Sequence, residues 1–99
     1  MIVTVRTLTI EEGKQEEAIA ALVEIANYIN DNHGANTHVE RNITGPLNKV
    51  YMVGEYESLA ALEGVQKKVR ADEKVIAMVS AATRLQAAPP NLLYLERVS

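Results

Sequence analysis

The chain opens on a segment with apolar side chains on both faces of an extended backbone. In residues 2–10, Ile-Val-Thr-Val-Arg-Thr-Leu-Thr-Ile, Val3 and Val5 fall on one side and Ile2, Leu8 and Ile10 on the other, because successive strand residues point to opposite faces. The doubling recurs twice. Val50 and Met52 oppose Tyr51 and Val53 in residues 49–56, and Leu92 and Tyr94 oppose Leu93 and Leu95 in residues 92–98. A strand apolar on both faces is normally covered on both, and a large bare apolar face is rare on a soluble monomer. Whatever sheet these segments build therefore needs two covers.

Helical periods supply one of them. After Gly13, Ala18, Leu22, Ile25 and Ile29 form one apolar stripe with Ala21 and Ala26 beside it, the spacing of an amphipathic helix. Asn32 or Gly34 is placed to end that helix in the left-handed conformation. Residues 36–44 alternate Thr37, Val39, Arg41 and Ile43 against Asn36, His38, Glu40 and Asn42, predicting a second strand, and 45–48 is a connection of hairpin length to the third strand at 49–56. Ser58 caps a second helix carrying Leu59, Leu62, Val65 and Val69. Asp72 is placed to cap a further helical segment with Val75, Ile76, Met78, Val79 and Ala82, which the paired prolines at 89 and 90 stop before the last strand. The order is β-α-β-β-α-β, a ferredoxin-like α+β fold with a four-stranded antiparallel sheet and helices on one face. For the other face the expected cover is a second copy of the chain across a two-fold axis, a homodimer through the helix-free face of the sheet.

Composition narrows the function classes. Ninety-nine residues make one domain spanning 1–99. Ten Lys plus Arg against thirteen Asp plus Glu leave a net charge of -3, so no basic excess points to nucleic acid. The absence of cysteine removes disulfides, thiolate chemistry and Cys-based zinc sites. No apolar run approaches the roughly 18 residues of a membrane span. The opening segment lacks a cationic leader and enters a strand pattern at once, so a cytoplasmic location is expected.

Two stretches resemble NIPSNAP-like proteins of the dimeric α/β barrel superfamily. Residues 6–18, Arg-Thr-Leu-Thr-Ile-Glu-Glu-Gly-Lys-Gln-Glu-Glu-Ala, are similar to that group's opening, Arg-Thr-aromatic-Thr followed by Gly-Lys and a Glu-bearing helix. Residues 45–75 resemble its second signature through Gly45, Leu47 and Asn48, then Tyr56, Ser58 and Leu59, and a polar helix ending at Asp72. The resemblance implies a ferredoxin-like protomer whose sheet closes with a partner's into a dimeric α/β barrel with a central cavity. The superfamily hosts cofactor-free monooxygenases, haem-degrading enzymes, cyclases, isomerases and members without known activity, so the fold does not fix a chemistry. The chain also departs from the group. Met52 and Gly54 stand where it carries His and Trp, Leu8 where it carries a second aromatic, and Asp72-Glu73 where it carries Asp-Pro. A function resting on that His or Trp does not carry over.

Among the residues themselves, His38 is the first candidate for chemistry: a general base oriented by Asn36 or Glu40 at two-residue spacing, if that face lines a cavity. The alternative is that the polar alternation of this strand simply faces water. Asn36, His38, Glu40 and His33 do not have the spacing or ligand count of a metal site, and His33 suits the last turn of a helix dipole. Arg6, in the middle of a strand, reads either as an anchor for an anion or carbonyl or as one half of an ion pair with Glu40, Glu55 or Glu96. Tyr51 could offer a catalytic phenol, and Tyr94, Met52, Gly54 and Arg41 are the candidates for lining a ligand site. Lys67 to Arg70 read as the solvated side of the second helix. The expectation is a protein that binds a small, largely apolar molecule in its cavity, with cofactor-free acid/base or oxygenase chemistry if it is an enzyme. The alternative is an interaction or assembly protein whose barrel interior is only a dimer core.

Overall fold

The computed structural model covers residues 1–99. It runs β1 (Ile2–Thr9), α1 (Gln15–His33), β2 (Thr37–Arg41), β3 (Lys49–Tyr56), α2 (Leu59–Ala71), α3 (Glu73–Thr83) and β4 (Asn91–Glu96). The four strands form one antiparallel sheet in the order β2-β3-β1-β4, which is the ferredoxin-like α+β arrangement with α3 added before the last strand. The β-branched run of β1 takes a central position, and its two neighbours complete its backbone hydrogen bonding.

Caps set the ends of the helices. Gly34 ends α1 at φ 69°, a left-handed conformation that costs glycine nothing for want of a Cβ. The Ser58 hydroxyl accepts from the Ala61 N–H at 3.1 Å at the start of α2. Asp72 ends α2 and starts α3, accepting from the Lys74 N–H at 2.9 Å. The second strand is shorter than its alternation suggests. It stops at Arg41, where the Asn42 amide turns back to donate to the Pro46 carbonyl at 2.7 Å, a local bond that competes with the ladder.

Packing is uneven across the helical layer. Leu8, Ile10 and Val50 of the sheet meet Ala18, Leu22, Ile25 and Ile29 of α1 and Val75 and Ala82 of α3 in the main core. Each fully buried side chain of the larger type contributes about 1.5–3 kcal/mol, so α1 is firmly seated. By contrast, α2 buries only Leu62, which joins Ile2 and Tyr56 in a separate small cluster. No helix is long and apolar enough to cross a membrane.

The register sorts the two faces. On the helix side, Leu8 lies opposite Val50, Arg6 opposite Met52 and Leu92, and Thr4 opposite Gly54 and Tyr94. On the helix-free side, Val5 lies between Val53 and Leu93, and Val3 is opposite Leu95. Leu93 and Leu95 are about half exposed, at 49% and 46%.

Gly54 does not leave a void where a tryptophan could sit. A Cβ there would stand 2.7 Å from Thr4 Oγ1, 3.0 Å from the Tyr56 ring and 3.2 Å from Thr37 Cγ2. The neighbours have closed over the glycine, as expected where a strand glycine admits close approach. Gly54→Ala is expected to lower stability by about 1–3 kcal/mol through overpacking, read as a lower denaturant midpoint at unchanged slope. No loss of stability would show that Thr4 and Thr37 yield without strain.

Candidate functional site

A cleft of about 410 Å³ lies between the sheet and α2. Its floor follows from the register. Arg6, Met52 and Leu92 form one row across three strands, and Thr4 and Tyr94 form part of the next, with Thr37 and Tyr56 beside them. Its roof follows from the helical period. Leu62, Gln66 and Arg70 recur at four-residue steps, with Val65 and Val69 on the same side, so one face of α2 overhangs the strands. Ile29 of α1 closes the inner end. Over the cleft α2 buries only Leu62 fully, with Val65 and Val69 half-buried.

The charged groups here are both cations. Arg6 and Arg70 both line the cleft, and no Asp, Glu, His or Lys does. Elsewhere arginines find carboxylates: Arg41 donates to Glu16 at 2.8 Å and Arg97 lies 3.8 Å from Glu55. Neither cleft arginine has such a partner. Arg70 makes only long bonds to Gln66, 3.3 Å to its carbonyl and 3.4 Å to its side-chain oxygen. The Gln66 amide in turn donates to the Tyr94 hydroxyl across the cleft mouth. Burial pushes the Tyr56 phenol above its ordinary value, against the opposing pull of a backbone hydrogen bond from Asn36. That phenol is therefore neutral at physiological pH. Arginine stays protonated and Gln, Thr and neutral Tyr are poor bases, so the cleft can hold and orient a molecule but offers no group to take a proton from it.

Three sequence candidates meet in this cleft: Arg6, Met52 and Tyr94. The ion pair weighed for Arg6 does not form. Gly54 lies in the strand beside the floor without lining the cleft, and Arg41 is on the same face but engaged at the sheet edge with Glu16. His38 and Tyr51 lie on the opposite face. His38 is opposite Val53 and Tyr51 is opposite Thr7, both in helix-free rows. His38 Nε2 sits 2.8 Å from Glu40 Oε2 with both side chains about half exposed, 48% and 57%, so the strand's polar alternation faces water in the single chain. The cleft formed by the chain itself is thus on the helix side, whereas the sequence pointed to a cavity on the helix-free side. Arg70 was read as solvated, and Gln66 was not singled out. Their four-residue spacing from Leu62 was the available signal that they share its inward face.

A second polar cluster fixes the far end of the roof. The Tyr28 hydroxyl donates to Asp72 Oδ2 at 2.8 Å, and His33 Nε2 lies 2.7 Å from the same oxygen. An ionised carboxylate only accepts, so the His33 ring N–H donates too. These bonds, His33's first and Tyr28's second, hold the Asp72 carboxyl down at about 2 from its ordinary 3.8. The bond to Asp72 raises the Tyr28 phenol, with burial and the carboxylate charge adding to it. Lys74 Nζ stands 4.7 Å over the Tyr28 ring, within cation–π range. The α2–α3 corner is thereby tied to the end of α1.

Comparison with solved structures places this geometry in a known fold. An uncharacterised NIPSNAP domain protein from Burkholderia xenovorans superposes with a TM-score of 0.85 at 19% identity, over 100% of this chain and 96% of that one. A NIPSNAP family protein from Agrobacterium tumefaciens gives 0.81 at 23% identity, over 96% and 90%. A candidate antibiotic biosynthesis monooxygenase from Caulobacter crescentus gives 0.80 at 22% identity, over 99% and 90%. The chain therefore has the ferredoxin-like fold shared by NIPSNAP domains and antibiotic biosynthesis monooxygenase-type proteins. Neither a family model nor a curated protein matches its sequence.

The depressed Asp72 carboxyl has a measurable consequence. A group whose carboxyl is held below its unfolded value stabilises the fold above that value and ceases to as pH falls through the folded one. Stability is thus expected to fall between pH 3.8 and about 2 as Asp72 gains its proton. In Asp72→Asn, urea denaturation should show lower stability at neutral pH and a shallower loss across that window. An unchanged acid limb would mean the clamp does not hold in solution.

Proposed function

We propose that the protein binds a small, largely apolar molecule in the cleft beneath α2. The observation that carries this reading is the cleft itself: eight of its thirteen lining residues are hydrophobic and its polar groups are few and convergent, the usual make-up of a small-molecule site. The resemblance in fold to a candidate antibiotic biosynthesis monooxygenase supports a small organic ligand. Catalysis by proton abstraction finds less support, because base chemistry needs an acceptor within hydrogen-bond reach of the substrate and His38 is on the other face of the sheet. Binding is the function these residues favour.

The test is a thermal-shift and calorimetric screen against bicyclic aromatic and polyketide-like compounds, neutral and charged. A binder at one hundred times its Kd should stabilise the fold by about 2.7 kcal/mol. Val65→Trp, which fills the cleft from the roof, should weaken such a binder about tenfold or more while leaving far-ultraviolet circular dichroism unchanged. His38→Ala should leave the affinity as it was. No stabilisation by any compound would favour the assembly role instead.

A second copy of the chain is the occupant we propose for the helix-free face. Val5, Val53 and Leu93 form an apolar row across three strands, flanked by Val3 and Leu95. Two such sheets can pack face to face about 10 Å apart. Light scattering at micromolar concentration should give twice the chain mass of 10.9 kDa, and Leu93→Glu should return the single-chain mass. A monomeric parent protein would refute the dimer without touching the cleft.

A further inference from the structure

We infer that the cleft selects an anionic ligand, an apolar body ending in a carboxylate or comparable oxyanion, through Arg6 and Arg70. This rests on the reading of the cleft as a ligand site. Its starting point is an imbalance of charge. The chain is acidic overall, at -3, yet two arginines line the cleft and no carboxylate joins them. At the surface Arg41 and Arg97 each take a glutamate, so suitable partners are not scarce in this molecule.

The position of Arg6 strengthens the point. It lies mid-strand in β1, at the centre of the sheet, between Met52 and Leu92. A cation in such a row stabilises the fold when it is paired, and Arg6 forms neither an ion pair nor a side-chain hydrogen bond within the chain. The residue is exposed and lines the cleft. Arg70 approaches from the roof, and its long contacts with Gln66 leave it free to take a stronger acceptor. Tyr94 already accepts from Gln66, so its own O–H is free to donate elsewhere. The charged groups at the mouth are thus two arginines without a carboxylate partner, and a planar guanidinium fork fits a carboxylate with two parallel bonds.

Burial gives the ligand an orientation. Ile29 and Leu62 are 7% and 3% exposed, whereas Arg6 and Arg70 are exposed. The apolar body enters toward Ile29 and Leu62, and the oxyanion stays at the mouth between the two guanidinium groups.

The experiment uses a matched pair, 2-naphthoate and 2-naphthamide, titrated calorimetrically into the full chain at pH 7. The acid should bind about tenfold or more tightly than the amide, and added salt should weaken the acid alone. Arg6→Gln and Arg70→Gln should each shrink that preference, and the double variant should abolish it with the amide affinity unchanged. Arg84→Gln, which removes an equal charge outside the cleft, should leave the preference intact. Equal binding of acid and amide, or a preference that survives the double variant, overturns the inference and leaves the cleft reading standing. Binding of neither compound, nor of any other screened for the cleft, overturns both.

Discussion

The register of β1 between β3 and β4 is the constraint on which the rest of the molecule depends. Arg6 faces Met52 on one side and Leu92 on the other, and this row puts Leu8 into the core and Val5 on the opposite face. A slip of one residue would carry every side chain of the strand to the other side. Leu8 would leave the core, Val5 would replace Arg6 in the floor of the cleft, and the cleft would lose one of its two arginines. Stability and site are therefore set by one pairing. The buried ends of the row, Leu8 with Val50 and Ile2 with Tyr56, lock it in place.

The helical layer divides its labour in the same way. α1 and α3 share the main core with the sheet, while α2 buries only Leu62 and sets Val65 and Val69 half-buried against that core. At one end Leu62 packs on Ile2 and Tyr56 behind the Ser58 cap. At the other, Asp72 joins α2 to α3 and is tied to Tyr28 and His33. A helix that buries one side chain fully and leaves Val65 and Val69 half-buried leaves room beneath it, and the cleft is that room. The burial that α2 forgoes along its middle is the same area that a ligand's apolar body can cover.

Much of this was legible in the chain. Alternation in β1, β3 and β4, the stripe of α1 and the Ser58 and Asp72 caps are local patterns, and local patterns survive into the fold. Parity separates the two faces within each strand, but only the pairing register brings Arg6, Met52 and Tyr94 to one face. Two things were not legible. His38 could be a base only if its face were the cavity face, and parity alone does not say which face receives the helices. The clamp among Tyr28, His33 and Asp72 joins residues 44 and 39 positions apart, and a helix-end histidine next to a cap residue elsewhere in the chain carries no sequence mark. Arg70 shows the opposite failure. Its neighbours Lys67 and Lys68 are exposed, and charge composition drew it in with them although its phase along α2 matches Leu62 and Gln66.

Arg6 also marks a place where the sequence departs from what packing alone would choose. Sequences agree with their folds at nearly every level, and the exceptions concentrate where a site is needed. An apolar residue at position 6 would extend the row of Met52 and Leu92 and let α2 settle onto the sheet. The arginine prevents that closure, since its guanidinium must keep contact with water or with an acceptor. A single polar residue in the central strand thus interrupts an otherwise apolar row and lends its charge to the space beneath α2.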